Sequence, residues 1–276
     1  MPLRFTKMHG AGNDFVVLDC REGMTLPEAA VISRMACRHT GVGFDQLLII
    51  EAAHSADAVA GYRILNQDGS SARQCGNGAR CVAHWLVLQG ATSANEFVLD
   101  SPAGRMNVQH TDAGYCVDMG PPAFNPADIP LQAEREALFY PFEYQGDVLQ
   151  FSAASMGNPH ALFVVESVDA APVPALGFAL QASGRFAEGV NVGFAEVLDR
   201  RRIRLRVFER GVGETLACGS GACAAAACLI RSGQVDRSLT VQLSGGTLSI
   251  EWPEDSAGIR MTGPAVRVFE GEWTHD

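Results

Sequence analysis

The 276-residue chain is 47% apolar and carries a formal net charge of −10. That length suits two domains of about 100–150 residues each, and the acidity disfavours nucleic acid and anionic lipid as partners. No apolar run approaches the roughly 20 residues that cross a bilayer, and the opening MPLRFTKMHGAGNDF lacks an apolar signal core, so a soluble, cytoplasmic protein is expected.

The elements, taken along the chain, fall into two similar series. The first has a strand over Gln46 to Glu51, a strand over Tyr62 to Leu65, a polar turn, Cys75-Gly76-Asn77-Gly78, a helix over Ala79 to Leu88, and a strand over Glu96 to Leu99. The stretch Gly120 to Pro130, with four prolines, reads as a linker. The second series has strands over Ala161 to Val165 and Ile203 to Phe208, then Cys218-Gly219-Ser220-Gly221 and a helix over Ala222 to Ile230. Strands over Leu239 to Leu243 and Thr247 to Trp252 close it. Both helices are expected to stop at a glycine 15 residues past the cysteine, Gly90 and Gly233.

The series are a repeat. An offset of 143 carries Cys75 onto Cys218, Tyr62-Arg63-Ile64-Leu65-Asn66 onto Leu205-Arg206-Val207-Phe208-Glu209, and Gly90 onto Gly233. Gly12-Asn13 matches Gly157-Asn158 at 145. The expected fold is α/β: two pseudo-symmetric domains, each a curled mixed or antiparallel sheet around one central apolar helix. The expected bounds are 1–119 and 120–264, with 265–276 packing back on the first domain. The run Ala224 to Ala227 suits a helix buried on all sides. Arg202, Arg204 and Arg206, alternating with Ile203, Leu205 and Val207, read as the solvated face of a strand.

Composition narrows the chemistry. Lys7 is the only lysine, and a pyridoxal enzyme needs a Schiff-base lysine. That disfavours pyridoxal chemistry, and no cofactor is expected. None of the cysteines (Cys20, Cys37, Cys75, Cys81, Cys116, Cys218, Cys223, Cys228) shows C-x2-C spacing. They read as thiols of a reducing compartment, with no metal site. Cys20, Cys37, Cys81, Cys116, Cys223 and Cys228 are expected to be structural.

Cys75 and Cys218 differ because each sits just before a helix, at the same place in a repeat. There the backbone N–H groups are unpaired and the dipole is positive, which lowers a thiol pKa. The glycines let a carboxylate approach those N–H groups. Two such units opposed across a domain interface would set one sulfur on each face of a substrate α-carbon. Inversion needs that: one thiolate removes the proton and the opposite thiol returns one. The carbanion would be held by N–H groups from both helix ends. Gly219-x-Gly221-x-x-Ala224 also mimics a nucleotide signature, but no acidic ribose partner accompanies it.

At this point a family resemblance becomes specific. Phe5-Thr6-Lys7-Met8-His9-Gly10-Ala11-Gly12-Asn13-Asp14-Phe15, Asn66-Gln67-Asp68-Gly69 and Gln74-Cys75-Gly76-Asn77-Gly78-Ala79-Arg80-Cys81 resemble diaminopimelate epimerases. So do Met156-Gly157-Asn158-Pro159-His160, Gly189-Val190-Asn191-Val192, Glu209-Arg210-Gly211-Val212-Gly213-Glu214-Thr215 and Ala217-Cys218-Gly219-Ser220-Gly221. The resemblance implies interconversion of LL- and meso-2,6-diaminoheptanedioate, on the route to lysine and peptidoglycan, by a homodimer without pyridoxal phosphate. It implies Cys75 and Cys218 as the acid/base pair, and Gly76, Asn77, Gly219 and Ser220 at the reacting carboxylate. Glu209 would take the reacting ammonium, and His160 would help set thiol protonation. Asn13, Gln46, Asn66, Asn158, Asn191 and Arg210 would hold the rest of the substrate, including the distal carboxylate. Taken singly, the asparagines beside glycines also fit turns, and His160 fits a core histidine. Two other readings remain: a proline or hydroxyproline racemase of the same fold, and a non-catalytic thiol redox or ligand-binding protein.

Overall fold

The computed structural model describes residues 2–72 and 74–274. The chain divides into two compact units, Met1–Asp118 with Thr262–Asp276, and Met119–Met261.

Unit 1 contains β1 (Leu3–Gly10), β2 (Asn13–Asp19), α1 (Ala29–Ala36), β3 (Gln46–Glu51), β4 (Ala58–Asn66), β5 (Ser71–Ala72), α2 (Gly76–Leu88), β6 (Glu96–Ser101), β7 (Gly104–Thr111) and β8 (Gly114–Asp118). Unit 2 contains β9 (Tyr140–Tyr144), β10 (Asp147–Ser155), β11 (Pro159–Val164), α3 (Val173–Ala182), β12 (Asn191–Asp199), β13 (Arg202–Glu209), β14 (Gly213–Thr215), α4 (Gly219–Arg231), β15 (Ser238–Leu243) and β16 (Gly246–Glu251). The chain then runs through β17 (Arg260–Gly263) to β18 (Val266–Trp273), which pairs antiparallel with β1 in unit 1.

The strand ladders repeat. In unit 1, β1–β2, β3–β4, β6–β7 and β7–β8 are antiparallel, while β2–β3 and β4–β6 are parallel. In unit 2, β9–β10, β10–β11, β12–β13 and β15–β16 are antiparallel, while β11–β12 and β13–β15 are parallel. A parallel pair cannot be closed by a hairpin and needs a crossover. Among the described residues the α-helices are those crossovers: α1 and α3 serve the first parallel joint of each unit, and α2 and α4 the second.

The two crossovers of a unit lie on opposite faces of its sheet. In unit 1, Ile32, Met35 and Ala36 of α1 cluster with Val16, Leu18, Leu47 and Ile49. The alternate residue Leu48 looks the other way, onto Gly78 of α2, as does Phe15. Leu47 to Ile50 are therefore all fully buried, as expected of strands covered on both faces. In unit 2, Val173, Leu176 and Leu180 of α3 pack with Phe163, Val192 and Phe194. Ala224 to Ala227 of α4 are buried all round, between β10, β11, β12, β15 and β16.

Several sequence expectations are corrected. The expected central helices are α2 and α4, and among the described residues each unit carries one further α-helix, α1 or α3. The central helices start earlier than expected, at Gly76 and Gly219, so the Cys-Gly-x-Gly glycines form the first turn. Their low helix propensity hid this. Both helices do end at the expected glycines. Gly90 (φ +69°) and Gly233 (φ +75°) follow the last turn, with Ala91 N–H on the Leu86 carbonyl and Gln234 N–H on the Leu229 carbonyl, a Schellman closure that requires a left-handed residue. Gly120 to Pro130 is no loose linker: Ala123 bridges Ser155, Asn125 caps a 3-10 turn over Pro126–Asp128, and Ile129 is fully buried in unit 2. Arg204 and Arg206 are only half exposed, paired with Asp169, Glu196 and Glu214. Cys20, Cys37 and Cys116 are half-buried rather than core; Cys81, Cys223 and Cys228 are core.

Candidate active site

Cys75 is the N-cap of α2, and its Sγ accepts from the Gly78 N–H at 3.4 Å. Cys218 is the N-cap of α4. The third residue beyond each cysteine is a glycine for a steric reason. A Cβ on Gly221 would stand 3.2 Å from Cys218 Sγ, and one on Gly78 3.0 Å from Leu48.

Around Cys75 the partners are amides held by charges. Asn13 Oδ1 lies 3.7 Å from Cys75 Sγ and accepts from Asn77 Nδ2 at 3.2 Å. Asn13 Nδ2 donates to Asp45 Oδ2 at 2.7 Å, and Asn77 Oδ1 accepts from the fully buried Arg80 at 2.8 Å. Arg38 bridges Asp45 and Asp14, each at 2.7 Å, and Lys7 binds Asp14 at 2.5 Å and the Gly43 carbonyl. Burial raises the Asp14 carboxyl, but Arg38 and Lys7 outweigh it and hold it at about 2. Burial pushes Asp45 up, opposed by the Asn13 hydrogen bond. Gln46, opening β3, donates to Asn66 Oδ1 at 3.1 Å, and Asn66 donates to Ser70.

Around Cys218 the partners are a serine, a neutral imidazole and a carboxylate. Cys218 Sγ lies 3.7 Å from Ser220 Oγ, and His160 Nε2 is 3.1 Å from Ser220 Oγ and 3.0 Å from Asn158 Oδ1. Burial, then the charge of Arg210, drops the His160 pKa to about 3, so the ring is neutral. Glu209 takes a hydrogen bond from the Thr215 hydroxyl at 2.5 Å. Burial, and next the Glu209 charge, raise the Cys218 pKa well above its ordinary value, outweighing the Gly221 N–H and Ser220. The expected lowering at a helix start is therefore reversed for Cys218, because desolvation of the thiolate exceeds the pull of the helix end. Asn191 accepts the Arg210 N–H at 2.9 Å and donates to the Pro159 carbonyl, and the exposed Arg210 side chain reaches the Glu188 carbonyl.

A profile of the family described as diaminopimelate epimerase matches residues 5–125 and 152–268. The chain belongs to the diaminopimelate epimerase family. A diaminopimelate epimerase of Xanthomonas euvesicatoria pv. vesicatoria is 56% identical over 273 residues, covering 98% of this chain and 96% of the relative. One from Xylella fastidiosa is 51% identical over 274 residues, at 99% and 96% coverage. Among solved structures, a hydroxyproline epimerase from Agrobacterium vitis superposes with TM-score 0.73 over 99% of this chain and 92% of its own, at 16% identity. A phenazine biosynthesis protein of Bacillus anthracis gives 0.68 over the full length of both chains, also at 16%. These two share the fold.

Within this family fold, unit 1 gathers Asn13, Gln46, Asn66, Cys75, Gly76 and Asn77 at the start of α2 and the adjoining strand ends. Unit 2 gathers Asn158, His160, Asn191, Glu209, Arg210, Cys218, Gly219 and Ser220 likewise. Reading the sequence missed the residues behind them: Lys7, Asp14, Arg38, Asp45, Arg80 and Thr215. The signal available for Arg80 was its place in an otherwise apolar helical run. Asp14 stood inside the Phe5 to Phe15 motif with no role assigned, and for Asp45 there was no signal beyond its place beside Gln46. Among the described residues, no group of three His, Cys, Asp or Glu is placed to hold a metal, and no helix is long and apolar enough to cross a membrane.

Proposed function

We propose that this enzyme interconverts LL- and meso-2,6-diaminoheptanedioate, with Cys75 and Cys218 as its two acid/base groups. The observation that carries the roles is the repeated placement of one cysteine at the N-cap of the central helix in each unit, beside polar side chains. The thiolate removes the α-proton and becomes a thiol; the other thiol delivers its proton to the opposite face and becomes the thiolate. The reacting carboxylate is held by the N–H groups of Gly76, Asn77, Gly219 and Ser220, where helix-end donors stabilise the developing negative charge. Glu209 takes the reacting ammonium. A cation there cancels the repulsion that Glu209 exerts on the Cys218 thiolate, so substrate itself eases ionisation. Neutral His160 orients Ser220 toward Cys218. Arg210, with Asn13, Gln46, Asn66, Asn158 and Asn191, holds the distal amino acid, whose carboxylate suits a guanidinium fork.

The same reading places the enzyme in the cytoplasm, in lysine and peptidoglycan precursor synthesis, as a homodimer. Support for self-association is β18, whose Val266, Val268 and Phe269 are exposed along a strand presenting an apolar surface.

Isotope incorporation tests the mechanism. In D2O, starting from unlabelled LL-substrate, early meso product carries deuterium at the inverted carbon while unreacted substrate carries almost none. Substantial protium at that carbon in early product rules out two bases. Turnover of L-proline in preference to diaminopimelate would overturn the substrate assignment.

A further inference from the structure

One hydrogen-bond chain in unit 1 has its direction fixed by charge at both ends. A carboxylate only accepts and a guanidinium only donates. Asp45 Oδ2 accepts from Asn13 Nδ2 at 2.7 Å and from the Asp14 N–H at 3.1 Å, so the amine end of Asn13 is committed to it. Arg80 donates to Asn77 Oδ1 at 2.8 Å, so Asn77 presents its amine to Asn13 Oδ1. Neither amide can turn over without setting like against like. The atom left beside Cys75 Sγ, at 3.7 Å, is an amide oxygen. An acceptor there favours S–H, whereas the Gly78 N–H on the other side favours the thiolate.

Both anchors are themselves held. Arg38 spans the two carboxylates, Asp14 Oδ1 accepts the Asp45 N–H at 3.1 Å, and Lys7 neutralises Asp14. Arg80 is packed without exposure and also donates to the Pro264 carbonyl. These are built groups, not surface pairs.

We infer that Asp45 and Arg80 are positioning residues that lock the Asn13 amide with its oxygen on Cys75, so that Asn13 retains the Cys75 proton and opposes the thiolate. The inference rests on the reading of Cys75 as an acid/base group. The lock makes Cys75 a proton donor whose discharge depends on substrate, and it keeps Asn13 in one orientation for each turnover.

Alkylation of the intact protein by iodoacetamide, followed at the Cys75 and Cys218 peptides by mass spectrometry across pH, reads the lock without any turnover. Asp45→Asn removes one of the two charges that fix the Asn13 amide, so its oxygen is no longer held firmly on the sulfur. The Cys75 midpoint then moves down by about one pH unit, so that Cys75 reacts about tenfold faster at neutral pH, while the Cys218 profile is unchanged. Asp45→Glu restores the acceptor and most of the wild-type profile. In turnover, Asp45→Asn lowers kcat by about tenfold with a smaller change in KM. If Asp45→Asn does not fold, Arg38→Gln, at a half-exposed site, loosens the same acceptor and moves the Cys75 profile the same way by about threefold. A Cys75 profile identical to wild type in the folded variant overturns the inference. Absence of epimerisation by the wild-type protein would instead sink the functional reading, and leaves the alkylation result legible.

Discussion

The two units share a scaffold and differ in what stands behind the cysteine. Asn13 opens β2 and Asn158 immediately precedes β11, while Gln46 and Asn191 open β3 and β12. Yet Asn66 corresponds to Glu209, Asn77 to Ser220, Phe15 to His160 and Arg80 to Cys223. In unit 1 the neutral amides near the sulfur are pinned by charges further out: Asp45, Asp14, Arg38, Lys7 and Arg80. In unit 2 the charge, Glu209, sits beside the sulfur itself, and the supporting groups are neutral. A duplicated fold has kept the position of its thiol and exchanged the place of its charge. Under the proposed roles the difference suits a substrate that brings one ammonium to the reacting carbon, since only one half then needs an acceptor for it.

The sharpest way to break this comparison is to remove each sulfur in turn. Cys75→Ala and Cys218→Ala should each lower epimerisation by at least about a thousandfold in both directions, on the scale of a lost acid/base group. An alanine variant keeping most of its activity would return that cysteine to a structural role. Next comes the charge that unit 1 lacks. Arg210→Lys keeps the cation but loses the fork, costing at least about 2 kcal/mol in transition-state binding; near-normal kcat/KM would remove Arg210 from the distal carboxylate. Thr215→Val strips the hydroxyl from Glu209 and should cost about 1 kcal/mol, seen as a several-fold fall in kcat/KM. No change would mean that Glu209 is positioned by its other neighbours.

A separate contrast concerns acid stability. The folded-state pKa of His160, about 3, lies below its ordinary 6.5. Between those values the unfolded chain binds a proton that the folded one refuses, so stability is full above about pH 6.5 and declines as pH falls toward 3. His84 in unit 1 is shifted the same way, by burial first and then His110 and Arg267, but is only half-buried. Chemical denaturation at pH 7.5 and pH 5 should show His160→Gln flattening the acid-side loss more than His84→Gln. Equal flattening would contradict the contrast between the units.

Much of this was legible in the chain. The repeat exposed the two cysteines because a duplication carries its own control: a structural cysteine such as Cys81 has no partner at the same offset. The C-terminal glycines were legible because a left-handed residue leaves few substitutes. The first helical turns were not, since Gly76, Gly78, Gly219 and Gly221 read as a loop until the close approach of Leu48 or Cys218 Sγ explains them. Nor was α3, whose Pro172 and Pro174 look like breakers but fall at the cap and first turn, where the missing N–H is harmless. The raised Cys218 pKa was out of reach, because it depends on burial and on Glu209, nine residues away in sequence.

The single lysine has a practical consequence. Lys7 is 8% exposed, on β1, with its ammonium engaged by Asp14 and the Gly43 carbonyl. A side-chain amine so buried and engaged is shielded, so acylating reagents find no reactive lysine on the folded protein. Acylation at Lys7 therefore reports the opening of unit 1 alone, a built-in clock for local unfolding that needs no engineered probe.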